Sequence, residues 1–133
     1  MAEMVNHPRH YNAHPSGVEA IEICEGAGFC VGSAIKYLFR CDEKGSRKVD
    51  LQKAAWYLAR HLGNQDELAV AEELRKVHPR AKAMAKSVIA HPKTSMALRA
   101  TLQIVTGERE RREEYLALVR EAIRQIELEI ARG

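Results

Sequence analysis

The sequence predicts an all-α fold, and three observations predict it. Apolar residues recur at intervals of three and four along nearly the whole chain, and no convincing run alternates strictly as a half-buried strand would. Helix-starting and helix-stopping residues also bracket those periodic stretches. The expected architecture is a helical hairpin core with additional helices and a long C-terminal amphipathic helix.

The first helix is expected to open at Ser16, because "SGVE" offers Ser16 and Glu19 as a capping box ahead of Val18, Ile21 and Cys24, and the glycines of "EGAGF" close it. A second helix over about Ser33 to Cys41 follows from the stripe Val31, Ile35, Leu38 and Phe39. Lys36 and Arg40, four residues apart, share a different face. After the loop "DEKGSRKV", Asp50 is expected to cap a third helix whose Leu51, Ala55, Leu58 and Leu62 are buried, with Lys53, Tyr57 and Arg60 pointing elsewhere. A short loop between two such helices returns the second antiparallel to the first. Arg40 then comes level with Asp50 and Lys53, Lys36 approaches Tyr57, and Lys44 sits over that end on the loop.

Beyond Gly63, "NQDE" can start a fourth helix running to about Val77, where "HP" stops it. Pro79 opens a fifth that ends near "AHP" at 90 to 92, and Thr94 or Ser95 opens a sixth that ends at Thr106 before Gly107. The last helix carries Leu116, Val119, Ile123, Ile126 and Ile130 at alternating spacings of three and four. That seam suits either packing within the chain or self-association, and a homo-oligomer through this helix is expected.

A chain of 133 residues supports one compact domain, or a small core plus a helical extension. The boundary expected is at residue 62, with 1 to 62 as the core domain and 63 to 133 as an extension serving oligomerisation. Hydrophobic residues at 46% and only four prolines argue for a folded chain rather than a disordered one. No apolar run approaches the ~18 residues of a membrane span, and "MAEMVNHPRHY" has no apolar centre of a secretion signal, so no membrane partner and a cytoplasmic location are expected. Cys24, Cys30 and Cys41 are odd in number and match no zinc spacing, which fits reduced, buried thiols.

Charge is uneven along the chain. Residues 1 to 29 hold four acids and one base, whereas 30 to 61 hold seven bases and three acids. Residues 64 to 106 add seven bases against four acids, so the gradient favours an anionic ligand near the middle of the chain, although the excess is too small to argue for duplex DNA. Neither GxxxxGK[ST] nor a GxGxxG after a strand occurs, so phosphate would have to be held by separate cations, for which Lys36, Arg40 and Lys53 have the right chemistry. The competing reading makes them ordinary solvated charges on amphipathic helices, with Asp50 capping and pairing Arg40. Glu19, Glu22 and Glu25 lie three apart and could share Mg²⁺ with substrate phosphates, or form a solvated helix face. His7, His10 and His14 fall within eight residues, but Pro8 prevents one helical ligand face, so contact with substrate or proton transfer by a neutral His10 fits better than zinc. "RKVHPRAKAMAK" offers a basic segment for nucleic acid, with no aromatic residue to stack on bases.

Taken together, "HPRHY", "GVEAIE", "GSAIKYLFR" and "VDLQKAAWYL" resemble a small bacteriophage family described as nucleotide-kinase-like or SaV-like, over about residues 6 to 62. Ser33 stands where that family usually has asparagine. The resemblance implies a phage nucleotide-binding protein in the host cytoplasm, and a nucleoside monophosphate phosphotransferase without a P-loop. It implies that Lys36, Arg40 and Lys53 hold phosphates, that Tyr11 or Tyr57 stacks on the base, and that Ser33 and Lys44 lie at the substrate. Glu19 would bind Mg²⁺, His10 would assist proton transfer, and Asp50 would complete the catalytic set. Two alternatives stay open: a non-catalytic phage protein that sequesters a nucleotide or inhibits a host protein, and an all-α nucleoside triphosphate pyrophosphohydrolase.

Overall fold

A computed structural model describes residues 14–41, 46–63, 77–107 and 112–133. Among them are six α-helices and no strand: α1 (Ala20–Cys24), α2 (Phe29–Arg40), α3 (Arg47–Gly63), α4 (Pro79–Ala90), α5 (Met96–Thr106) and α6 (Arg112–Arg132). The expected fourth helix, at 64 to 77, lies almost wholly outside the described residues.

Helix starts differ from expectation in the first half of the chain, and each difference has a local cause. Ser16 does not cap α1. Its hydroxyl lies 2.7 Å from His14 Nδ1 and accepts the Val18 N–H, inside a turn closed by the Gly17 N–H on the His14 carbonyl. Gly17 turns at φ +82°, where a side chain would be strained. The capping box forms one turn later, between Glu19 and Glu22, with the Glu19 N–H donating to Glu22 Oε2 at 3.2 Å. α2 begins at Phe29, four residues before Ser33, because Gly28 supplies the N-cap at φ 81°. α3 begins at Arg47, so Asp50 is in its first turn rather than at its cap, and the Asp50 N–H already donates to the Ser46 carbonyl.

The later helices start where the sequence placed them. His78 caps α4 through its ring, with Pro79 in the first turn, and Ser95 caps α5 by accepting the Leu98 N–H at 3.1 Å.

One hydrophobic cluster joins the described helices, drawing on Ile23, Ile35, Leu51, Leu58, Val88, Leu102, Val119 and Ile126, each fully buried. Burial of each such side chain contributes about 1.5–3 kcal/mol before the cost of ordering it. Helices on both sides of residue 62 therefore share a core. α2 packs against α1, α3 and α5, while α6 packs against α3 and α5. The apolar seam of α6 is covered by its own chain: Leu116, Val119 and Ile126 are buried, and Ile123 and Ile130 pack against the same cluster. The seam thus gives no support to self-association through α6.

Polar ties fix the packing. Buried Glu129 of α6 accepts from Arg47 Nη2 of α3 at 2.6 Å and from the Ala97 N–H of α5 at 3.2 Å, so one carboxylate joins three helices. His61 Nε2 and Tyr115 Oη lie 2.6 Å apart between α3 and α6. His14 Nε2 lies 3.1 Å from Thr94 Oγ1, and Thr94 donates to the Val88 carbonyl, which ties the start of the described chain to the α4–α5 turn. No helix is long and apolar enough to cross a membrane, among the described residues.

Candidate functional site

α2 and α3 form the antiparallel hairpin that the sequence led us to expect, and their outward faces bring cations and aromatic rings together. On α2, Phe29, Ser33, Lys36 and Arg40 follow at i, i+4, i+7 and i+11. Val49, Lys53, Trp56 and Arg60 repeat that spacing on α3. Each set occupies one side of its helix because the opposite sides, Val31, Ile35, Leu38 and Phe39 on α2, with Leu51, Ala54 and Leu58 on α3, are buried in the core.

The centre of the face is the Tyr37–Tyr57 pair, stacked at 6.0 Å between centroids and 15° between planes. Lys36 Nζ lies 4.8 Å from the Tyr37 ring centroid and Lys53 Nζ lies 5.2 Å from it, so one cation from each helix converges on the same ring. Among the described residues neither ammonium group meets a carboxylate. Phe29 and Trp56 flank Tyr57 edge-to-face at 5.9 and 5.1 Å and are 77% and 60% exposed, far more than packing residues of their size.

A cleft of about 390 Å³ opens beside this ledge. Ile21, Cys24 and Glu25 form one wall, and Gly28, Phe29, Gly32, Ser33 and Lys36 form the other. Gly32 makes the close approach possible, because a Cβ there would lie 2.9 Å from the Cys24 carbonyl oxygen. Cys24 is structural. Burial pushes its thiol up to about 12, against the opposing pull of Lys36, and the Sγ–H donates to the Gly32 carbonyl at 3.1 Å. A thiol held protonated in this way is a poor nucleophile.

The remaining expected site residues separate into two groups. Arg40 turns toward Asp50, with Nε 3.5 Å from Oδ2, and Asp50 is only 1% exposed. Glu19 is engaged in the α1 capping box, and Glu22 reaches Arg80 at 3.7 Å. The three glutamates therefore do not form a shared carboxylate cluster, and no group of three His, Cys, Asp or Glu that could hold a metal ion occurs among the described residues. His10, Tyr11 and Lys44 lie outside the described residues, as does His7.

Phe29, Tyr37 and Trp56 belong to the ledge but were not singled out as site residues from sequence. The signal was present in the helical spacing of Lys53, Trp56, Tyr57 and Arg60, which sets aromatic rings between cations on one face. Phe29 carried no such signal, because its place depends on α2 starting at Gly28.

Fold and site together define an all-α protein with a cationic, aromatic face on a helical hairpin. Residues 5–59 match a protein family of unknown function, DUF3310, and this stretch contains α1, α2 and most of α3. No curated protein and no solved structure matches the chain. The match to DUF3310 overturns the nucleotide-kinase-like resemblance: the segment that carried it matches a family to which no activity is attached. Its short motifs also have structural work in this fold. "GVEAIE" contains the α1 cap, "GSAIKYLFR" supplies the buried side of α2, and "VDLQKAAWYL" supplies that of α3.

Proposed function

We propose that this protein binds a nucleotide on the α2–α3 face, with a base against the exposed ring of Phe29 and phosphate oxygens at Lys36 and Lys53. The observation that carries the reading is the convergence of two ammonium groups, each without a carboxylate partner among the described residues, on the Tyr37 ring beside Tyr57. A planar base fits exposed aromatic rings, and lysine ammonium groups act as point charges for phosphate. Ser33 adds a hydroxyl on the wall of the adjoining cleft.

Binding without turnover is the form of this reading that the geometry supports best. Of the residues expected to carry phosphoryl transfer, the two among the described residues have other roles: Glu19 serves the α1 cap and Asp50 is buried against Arg40. Isothermal titration with a panel of mononucleotides, including the deoxy forms, tests the proposal. Micromolar to millimolar binding is expected, and Lys36→Ala with Lys53→Ala should weaken it about tenfold or more. Unchanged affinity in that double variant removes the proposed phosphate site. Incubation with ATP, Mg²⁺ and deoxynucleoside monophosphates separates binding from transfer, since diphosphate product would restore the phosphotransferase reading.

A further inference from the structure

We infer that the ledge accommodates a short single-stranded nucleic acid, gripping more than one nucleotide at a time. The inference rests on the nucleotide-binding proposal and extends it along α3. Phe29 and Trp56 each meet Tyr57 edge-on, 5.9 and 5.1 Å from it and turned 73° and 89° from its plane, so the two most exposed rings offer separate stacking faces. A single base can lie on one of them and leave the other in water. Two successive bases of one strand can cover both, and stacking of this kind tolerates any base because every base has a π face.

Charge complementarity supports the same occupant. Lys53 and Arg60 flank Trp56 along the exposed side of α3, Lys36 stands across on α2, and none of the three meets a carboxylate among the described residues. From Lys53 to Arg60 the helix rises about 10 Å, which spreads the cations along a backbone path rather than around one phosphate. Alternating rings and cations suit an unpaired strand, whose bases are free to stack. A duplex keeps its bases stacked on each other and asks for a denser basic surface.

Trp56 is the only tryptophan in the chain, so its fluorescence reports directly on the ledge. Oligothymidylates of one, two, four and eight nucleotides are titrated against the full-length protein, with an eight-base-pair duplex alongside. Affinity is followed in parallel by calorimetry. The expected result is fluorescence quenching with the tetranucleotide bound about tenfold or more tighter than the mononucleotide, because a second base stacks on the second exposed ring. Trp56→Ala should erase that length advantage, and circular dichroism checks that this exposed substitution leaves the fold intact.

Mononucleotide binding with no gain in affinity on lengthening overturns the strand inference and leaves the nucleotide proposal standing. No binding at any length overturns both. Equal affinity for duplex and single strand, with no quenching, means charge alone and overturns the stacking inference. Concentration-dependent dimerisation that Trp56→Ala abolishes assigns the rings to a second copy of the chain, and also overturns it.

Discussion

At the scale of single residues, packing tolerances decide more than chemistry does. Gly32 is required by distance alone: its helix lies so close to the Cys24 carbonyl that a Cβ would sit 2.9 Å away, against backbone that cannot turn aside. Gly32→Ala is expected to cost about 1–3 kcal/mol by urea denaturation, since α1 must move off α2 to admit one methyl group. The cleft would widen with it. Arg40 and Asp50 illustrate the other limit, a charge pair whose members depend on each other. Among the described residues neither Arg40 Nε nor Asp50 Oδ2 has a hydrogen-bond partner of good geometry, although they lie 3.5 Å apart. Arg40→Ala would leave the Asp50 carboxylate buried without its cation. A loss of about 1–3 kcal/mol is expected, held below the value for a fully buried pair because Arg40 is partly exposed. A neutral effect on the denaturation midpoint would show that Asp50 draws its stability from other groups.

Element by element, helix starts were legible where a side chain capped and illegible where glycine or a turn did. Ser95 and the His78–Pro79 pair marked α5 and α4 because their caps are local hydrogen bonds. Ser16 carried the same signature and failed, since His14 and the Gly17 turn engage it first. Between elements, the contact of His61 with Tyr115 ties α3 to α6 and yields a pH dependence. Burial lowers the His61 pKa from its usual 6.5, so the unfolded chain takes up its proton at a higher pH than the folded one. Stability from this group is full above pH 6.5 and falls as pH drops from there through the lowered folded value. Thermal denaturation between pH 7.5 and 5.5 should therefore show a decline in the wild type that is shallower in His61→Gln. Equal slopes in the two proteins would mean that His61 is not the group responsible.

Across the whole molecule, α6 is an internal element. Its seam closes the core against α3 and α5, and Glu129 reaches through to Arg47 and to the first turn of α5. Glu129→Ala is expected to lower stability by about 2 kcal/mol, because it leaves a buried N–H at Ala97 without its acceptor and removes the carboxylate that Arg47 Nη2 meets. Analytical ultracentrifugation of that variant alongside chemical denaturation distinguishes the roles. Loss of stability at an unchanged subunit number supports an internal role, whereas dissociation without loss of stability would return α6 to an interface. The division at residue 62 expected from sequence followed the end of the family resemblance, and apolar packing continues across it.

Sequence alone determined that the chain is helical, which side of α2 faces inward, and that the cations of α2 and α3 would lie on one hairpin. Those properties follow from local periodicity, which is written residue by residue. Tertiary structure alone decided that Lys36 and Lys53 meet at Tyr37, that Arg40 joins Asp50 and not the ledge, as the competing sequence reading had it, that α3 buries Ala54 more deeply than Ala55 or Leu62, and that the α6 seam packs into the chain's own core. Each of these depends on distances between helices, and helical spacing fixes the direction of a side chain without fixing what stands opposite it.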